Sequence, residues 1–180
     1  MSEMLNLIKE RRSVRRYQDK AVEDALLNQV LESVQWSPSW ANTQVWEVVV
    51  VKNPEAKEKL AATLAKGNPA SKAMIEAPIV LVMCGKTNSS GFYKNVVSTK
   101  HGDWLLFDLG IATQSLCLTA RSLGLGTVVV GLFDHEQAAQ VVNMPEGMEL
   151  VAMVPMGYIA KDSSAPKRKE IKDFTHQDTF

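Results

Sequence analysis

An α/β or α+β fold, with a sheet of four strands or a few more, is the class this sequence predicts. Three observations predict it. Apolar, β-branched runs of strand length stand at 45–52, 79–85, 127–131 and 149–158. Between them lie segments whose apolar residues recur at helical spacing. There is no internal repeat and no composition break. With 180 residues, 46% of them hydrophobic and seven prolines, the chain suits one domain, 1–180, with a sizeable core.

The elements follow in order. Met4, Leu5, Leu7 and Ile8 give residues 2–9 the spacing of a short amphipathic helix. The segment 22–36 repeats apolar residues at 26, 27, 30, 31 and 34 and carries acids in its first turn, favourable to the helix dipole. "SPSWANTQ" (37–44) has the composition of a loop and leads into the buried strand 45–52. In 53–67, Asn53 as N-cap, Pro54 at the first helical position and Gly67 at the end punctuate a helix. A shorter helix over 69–76 stops before Pro78, and 79–85 reads as a second buried strand. The polar, irregular stretch 86–102 is the best candidate for a mobile lid. The longest helix runs over 103–123, apolar on nearly all sides, with Asp103 and Asp108 its only acids. Such a helix must be covered all round, by the core or by a partner subunit. "GLG" (124–126) ends it, the strand 127–131 follows, Asp134 caps a helix over 134–143, and 149–158 is the last strand. The tail, 159–180, is charged but carries Phe174 and Phe180.

Twenty basic and twenty acidic residues balance to zero, which gives no general pull toward nucleic acid or anionic lipid. No apolar run approaches the ~20 residues of a bilayer span, and Met1–Leu7 lacks a basic-then-apolar leader pattern. Cys84 and Cys117 sit apart in apolar surroundings, as free thiols do in a reducing cytoplasm, the expected location. His101, His135 and His176 have no ligand spacing, so no metal site is expected.

Three stretches could carry chemistry. "KERRSVRRY" (9–17) packs Lys9, Arg11, Arg12, Arg15 and Arg16 around Ser13. It is either a solvated charged face or an anion cradle, in which guanidinium forks and a serine hydroxyl suit phosphate. No GxGxxG or P-loop pattern competes with it. "SPSWANTQVW" (37–46) supplies Asn42 and Gln44, amides that both donate and accept, suited to a ring whose edge alternates carbonyls and N–H groups. "GLGTVVVGLFDHE" (124–136) puts Gly131 at a strand end, where backbone N–H groups can face a ligand with no side chain in the way.

Together these stretches resemble the nitroreductase family of FMN-dependent oxidoreductases. "RRSVRRY" (11–17) is similar to its opening Arg-[Arg/His]-Ser-x-[Arg/Lys]-x-[Phe/Tyr] motif, and "SPSWANTQVW" to its Ser-Pro-Ser-x-x-Asn-x-Gln-Pro-Trp motif. "FDLGIATQSLCLTARSLGLGT" (107–127), "VVVGLFD" (128–134) and "MPEGMELVAMVPMGY" (144–158) resemble its long helix and last two strands. The resemblance implies an α+β fold with a central mixed or antiparallel sheet of four to five strands flanked by helices, in an intertwined homodimer. The helix 103–123 would form the dimer core and the aromatic-tipped tail would wrap the partner.

The resemblance further implies FMN as cofactor, with NADH or NADPH as electron donor. Arg11, with Arg12 and Ser13 beside it, would meet the FMN phosphate, and Arg15 the pyrimidine edge of the ring. One of Lys167, Arg168 and Lys169 would reach the phosphate from the tail. Asn42, with Pro38, Ser39, Trp40 and Ala41 around it and Gln44 beyond, would reach the flavin across the dimer interface. Val130 and Gly131 would offer backbone N–H groups toward N5 and O4. Trp40, Phe92, Tyr93 and Trp104 are candidates for the substrate pocket. The implied reaction is ping-pong hydride transfer through flavin N5 to a nitroaromatic, quinone or similar small-molecule acceptor, with no acid–base residue nominated. Alternatives on the same fold are reductive dehalogenation, flavin destruction, dehydrogenation, or flavin storage and sensing without turnover. Two departures stand out: Val45 replaces the family's proline, and Trp40 is a bulky ring where small residues are common.

Overall fold

A computed structural model describes residues 2–161 and 163–180. Its centre is a fully antiparallel four-stranded sheet in the order β1 (Trp46–Val51), β2 (Ile79–Lys86), β6 (Met148–Tyr158), β5 (Leu125–Thr127). Helices α2 (Asp24–Gln35) and α5 (Leu105–Ser122) cover one face, packing Leu27, Val30, Leu109 and Leu116 on Ile79, Leu81 and Met83. Helices α3 (Pro54–Ala62), α4 (Ser71–Glu76) and α6 (His135–Val141) cover the other, packing Leu60, Met74 and Ala138 with Val80, Val82 and Cys84. The alternation along β2 thus feeds two cores, which is why its sequence is apolar without a break. A bulge in β6, opposite Met83 and Cys84, lets Leu150 join one core and Ala152 the other although their numbers have the same parity.

The first helix, α1 (Glu3–Glu10), is capped by Ser2, whose Oγ accepts from Leu5 N at 3.2 Å. It ends before the arginine run. From Arg11 on the chain is extended along the edge of the sheet: Val14 N donates to Thr127 O at 2.8 Å and Gln18 N to Tyr158 O at 2.9 Å. Val14 and Tyr17 face the core, and Tyr17 Oη bonds the carbonyls of Val14 and Pro155, both at 2.9 Å. Contact with β5 is so close that a Cβ on Gly126 would lie 2.7 Å from Val14.

Four expectations need correction. The strand expected at 127–131 lies at Leu125–Thr127; beyond it only Val130 pairs, in an isolated bridge with Met153. The helix expected over 53–67 ends at Ala62, because Leu64 bridges Phe133 and Thr63 O accepts from Asp134 N at 2.8 Å. Strand β1 lies at the sheet edge and one of its faces is left uncovered at Glu47 and Val49, which are exposed where a buried strand was expected, while Val48 and Val50 pack on the other face. The irregular 86–102 stretch contains a hairpin, β3 (Phe92–Tyr93) with β4 (Val96–Val97), turned by Lys94 and Asn95 at φ 50° and 63°. Two positive φ angles at a two-residue turn are the type I′ geometry that matches strand twist.

Candidate functional site

The extended course of 11–18 divides the arginines. Arg16 turns to Glu76, 3.3 Å away. Arg11, Arg12, Ser13 and Arg15 instead border a cavity of about 280 Å³ whose far wall is Ser163, Ser164, Pro166 and Arg168 of the tail. Ser163 Oγ donates to Ser13 O at 3.3 Å, holding the tail against the run. Arg12 Nη1 donates to the carbonyls of Lys9 and Arg11, at 2.5 and 2.7 Å, so it caps the C-terminal end of α1 while facing the cavity. Among the described residues no carboxylate pairs with Arg11, Arg12, Arg15 or Arg168, whereas nearby Arg121 is held by Glu10 at 3.6 Å. Four guanidinium groups gathered without counter-charge repel one another, and an anion between them reverses that cost. Lys167 and Lys169, flanking Arg168, do not border the cavity.

The second stretch is a strained loop tied to α5. Ala41, Asn42 and Gln44 have φ of 46°, 55° and 49°, a left-handed region that costs a non-glycine residue about 1–2 kcal/mol. Ser39 Oγ accepts from Gln44 N at 2.9 Å, and Ser37 Oγ bonds Ser115 Oγ of α5 at 2.9 Å. Trp40 N donates to both carboxyl oxygens of Asp108, at 3.1 and 3.2 Å. These ties fix a turn in which Pro38, Ala41, Asn42 and Gln44 are exposed and Ser39 and Trp40 half-buried. Thr43 Oγ1 is buried with no hydrogen-bond partner among the described residues. Val45, in the place of the family's proline, is a core residue whose carbonyl accepts from Lys86 N at 2.9 Å.

No residue of this loop borders the arginine cavity, nor do Val130 and Gly131. Of those two, Val130 cannot serve as a free backbone donor: its N–H is committed to Met153 O at 2.9 Å. Gly131 is exposed, and a Cβ there would meet only open space. The candidate substrate residues are dispersed. Trp104 borders a separate apolar cavity of about 370 Å³ with Leu106 and Phe107, its ring edge-on to Phe107 at 4.9 Å. Phe92 is half-buried, and Tyr93 is exposed on the hairpin.

Sequence reasoning did not single out Ser163, Ser164, Thr43, Ser90 or Asp108 as site residues. For Asp108 there was a signal. It is the one acid of α5, a helix of mostly apolar residues, and it is 1% exposed, accepting from Ser90 Oγ at 2.6 Å as well as from Trp40 N.

The nitroreductase family profile matches residues 8–158. The chain is 28% identical over 191 residues to the FMN reductase [NAD(P)H] of Bacillus subtilis, covering 100% of this chain and 75% of that protein. It is 27% identical over 178 residues to the NADH dehydrogenase of Thermus thermophilus, covering 84% of each. Its fold matches that of an FMN-dependent nitroreductase from Clostridium difficile with a TM-score of 0.82 at 22% identity, over 98% of this chain and 99% of that one.

Proposed function

The chain belongs to the nitroreductase family, and from that premise we propose that it is an NAD(P)H-dependent FMN oxidoreductase. The observation that carries the reading is the convergence of Arg11, Arg12, Arg15 and Arg168 on one cavity with no carboxylate among its lining residues. That donor set fits a phosphate group: planar forks for bidentate contacts, with the hydroxyls of Ser13, Ser163 and Ser164 beside them.

FMN, when bound, supplies the hydride chemistry, and the protein supplies binding, orientation and electrostatics. Arg11, Arg12 and Arg168 would hold the phosphate, and Arg15, which borders the same cavity, would add positive charge that suits an electron-accepting ring. Asn42 and Gln44 present amides toward a flavin from a second protomer, since neither reaches the cavity of its own chain. Gly131 offers the unencumbered backbone that Val130 does not. The strained 41–44 turn supports this assignment, because such backbone is kept where function over-determines it.

The working unit is a homodimer of this one domain. Leu106 and Phe107 of α5 are 62% and 59% exposed, and Met4 and Ile8 of α1 are 58% and 44% exposed, an apolar surface a partner would cover. Electron acceptors are nitroaromatics, quinones or similar small molecules, docking near Trp104 and the 92–97 hairpin. Among the described residues no helix is long and apolar enough to cross a membrane. The buried free thiols Cys84 and Cys117 support a reducing compartment such as the cytoplasm.

The test is an anaerobic absorbance spectrum of the purified protein. Flavin bands bleached by NADH or NADPH and restored by a quinone or nitroaromatic are expected. A protein that holds no FMN, even after loading, would sink the reading.

A further inference from the structure

Asp108 stands at a junction of three elements. Its carboxyl group, 1% exposed, projects from the first turn of α5 and takes Trp40 N on one side and Ser90 Oγ on the other. Among the described residues no cation pairs with it, so these two donors are its support. Ser90 is itself 0% exposed and opens the 90–104 excursion that carries the hairpin; Trp104 N donates to its carbonyl at 3.1 Å. The next residue, Gly91, sits at φ +84°, where a Cβ would lie 2.3 Å from Gly102 O. The base of the hairpin is therefore tied by close backbone packing to residues 102–104, a route by which a displacement of β3–β4 would reach Ser90. Trp40 opens the strained turn that carries Asn42 and Gln44.

We propose that Asp108 is a positioning residue that couples the 39–44 turn to the 92–97 hairpin, so that ordering one orders the other. The chemistry is that of a shared acceptor. A buried carboxyl group that loses one donor is left under-satisfied, and it shifts to recover a partner or water. Because Oδ2 accepts from both Trp40 N and Ser90 Oγ, that shift is felt by the remaining donor. The coupling itself follows from the geometry of this chain; its meaning, a cofactor loop set by a substrate lid, rests on the function proposed above.

Hydrogen exchange on the full-length protein tests it with Ser90→Ala, which removes a hydroxyl whose hydrogen bond goes to Asp108 and not to the turn. Amides at 39–44 should exchange roughly tenfold faster or more than in the parent, while peptides from β2 and α2 stay unchanged. Acceleration confined to 86–104 would overturn the coupling. A second measurement uses FMN itself as the probe. Saturating FMN should slow exchange at 92–98 in the parent and not in Ser90→Ala, by the reciprocity of linked sites. Equal protection in both proteins would also overturn the proposal. If the protein takes up no FMN, the functional reading fails while the first measurement still decides the coupling.

Discussion

Arg168 borders the arginine cavity and Lys167 does not, although both stand in the same basic stretch. Spacing alone left three candidates at 167–169, because the tail has no periodic element there to say which side chain points inward. Arg168→Ala should weaken FMN binding about 10- to 100-fold, the worth of a charge-assisted contact of ~1.5–3 kcal/mol. Lys167→Ala should change it less than about threefold, and a fluorescence titration against the apoprotein measures both. The thiols make a prediction of a different kind. Burial, with a smaller contribution from Glu47, pushes the Cys84 thiol up to about 11, and burial raises Cys117 as well. A raised acid favours the folded state while it stays protonated. The contribution is therefore complete below the unfolded thiol value of about 8.5 and is lost as pH rises through about 11. Buried Tyr17 acts in the same sense, and Lys57, lowered by burial, acts in the opposite one. Denaturant midpoints should fall less steeply above pH 9 in Cys84→Ala than in the parent, and identical slopes would refute the assignment.

The helices and central strands were legible because each carries its own signal: caps at Asn53 and Asp134, and unbroken apolar runs in β2 and β6. What failed was decided by distant partners. "TVVVG" looks like a strand by β-branching, yet Val14 and Gly126 lock the pairing two residues earlier and leave Val129 exposed. The hairpin escaped notice because Lys94–Asn95 is a weaker turn signal than Asn-Gly. In the candidate site, the arginine run and the 37–44 loop were legible as motifs. Asp108 stood out only as an acid in a mostly apolar helix; its role was hidden, since its two donors stand 68 and 18 residues away in sequence. The 41–44 turn is where an element's conformation conflicts with its residues. Replacing Ala41, at φ 46°, with glycine removes the left-handed penalty at some cost in chain entropy. A net gain of about 0.5 kcal/mol is expected, near 1–2 °C in Tm by calorimetry. A drop in Tm would show that the turn is not under strain.

At the scale of the whole molecule, one chain leaves its longest helix half covered. Helix α5 buries Leu105, Leu109, Ala112 and Leu116 against the sheet and α2, but Leu106 and Phe107 face outward, and α1 buries none of its residues. Phe174 and Phe180 of the tail, at 57% and 107% exposure, are equally unspent. Apolar side chains of this size are worth about 1.5–3 kcal/mol each when removed from water. A partner surface that covers them would recover part of the cost of ordering the tail, which already carries its own turn at Ile171–Asp173. In the homodimer proposed above, the exposed Asn42–Gln44 turn, which stays apart from the arginine cavity of its own chain, would serve the cavity of the partner. Phe107→Glu should therefore break both properties at once, placing an uncompensated charge in the contact and weakening association at least about 100-fold. Sedimentation velocity should show monomer at concentrations where the parent is dimeric, and the same sample should have lost its flavin. A monomer that keeps FMN at parent affinity would place the whole binding site within one chain and leave Asn42 and Gln44 without a role in it.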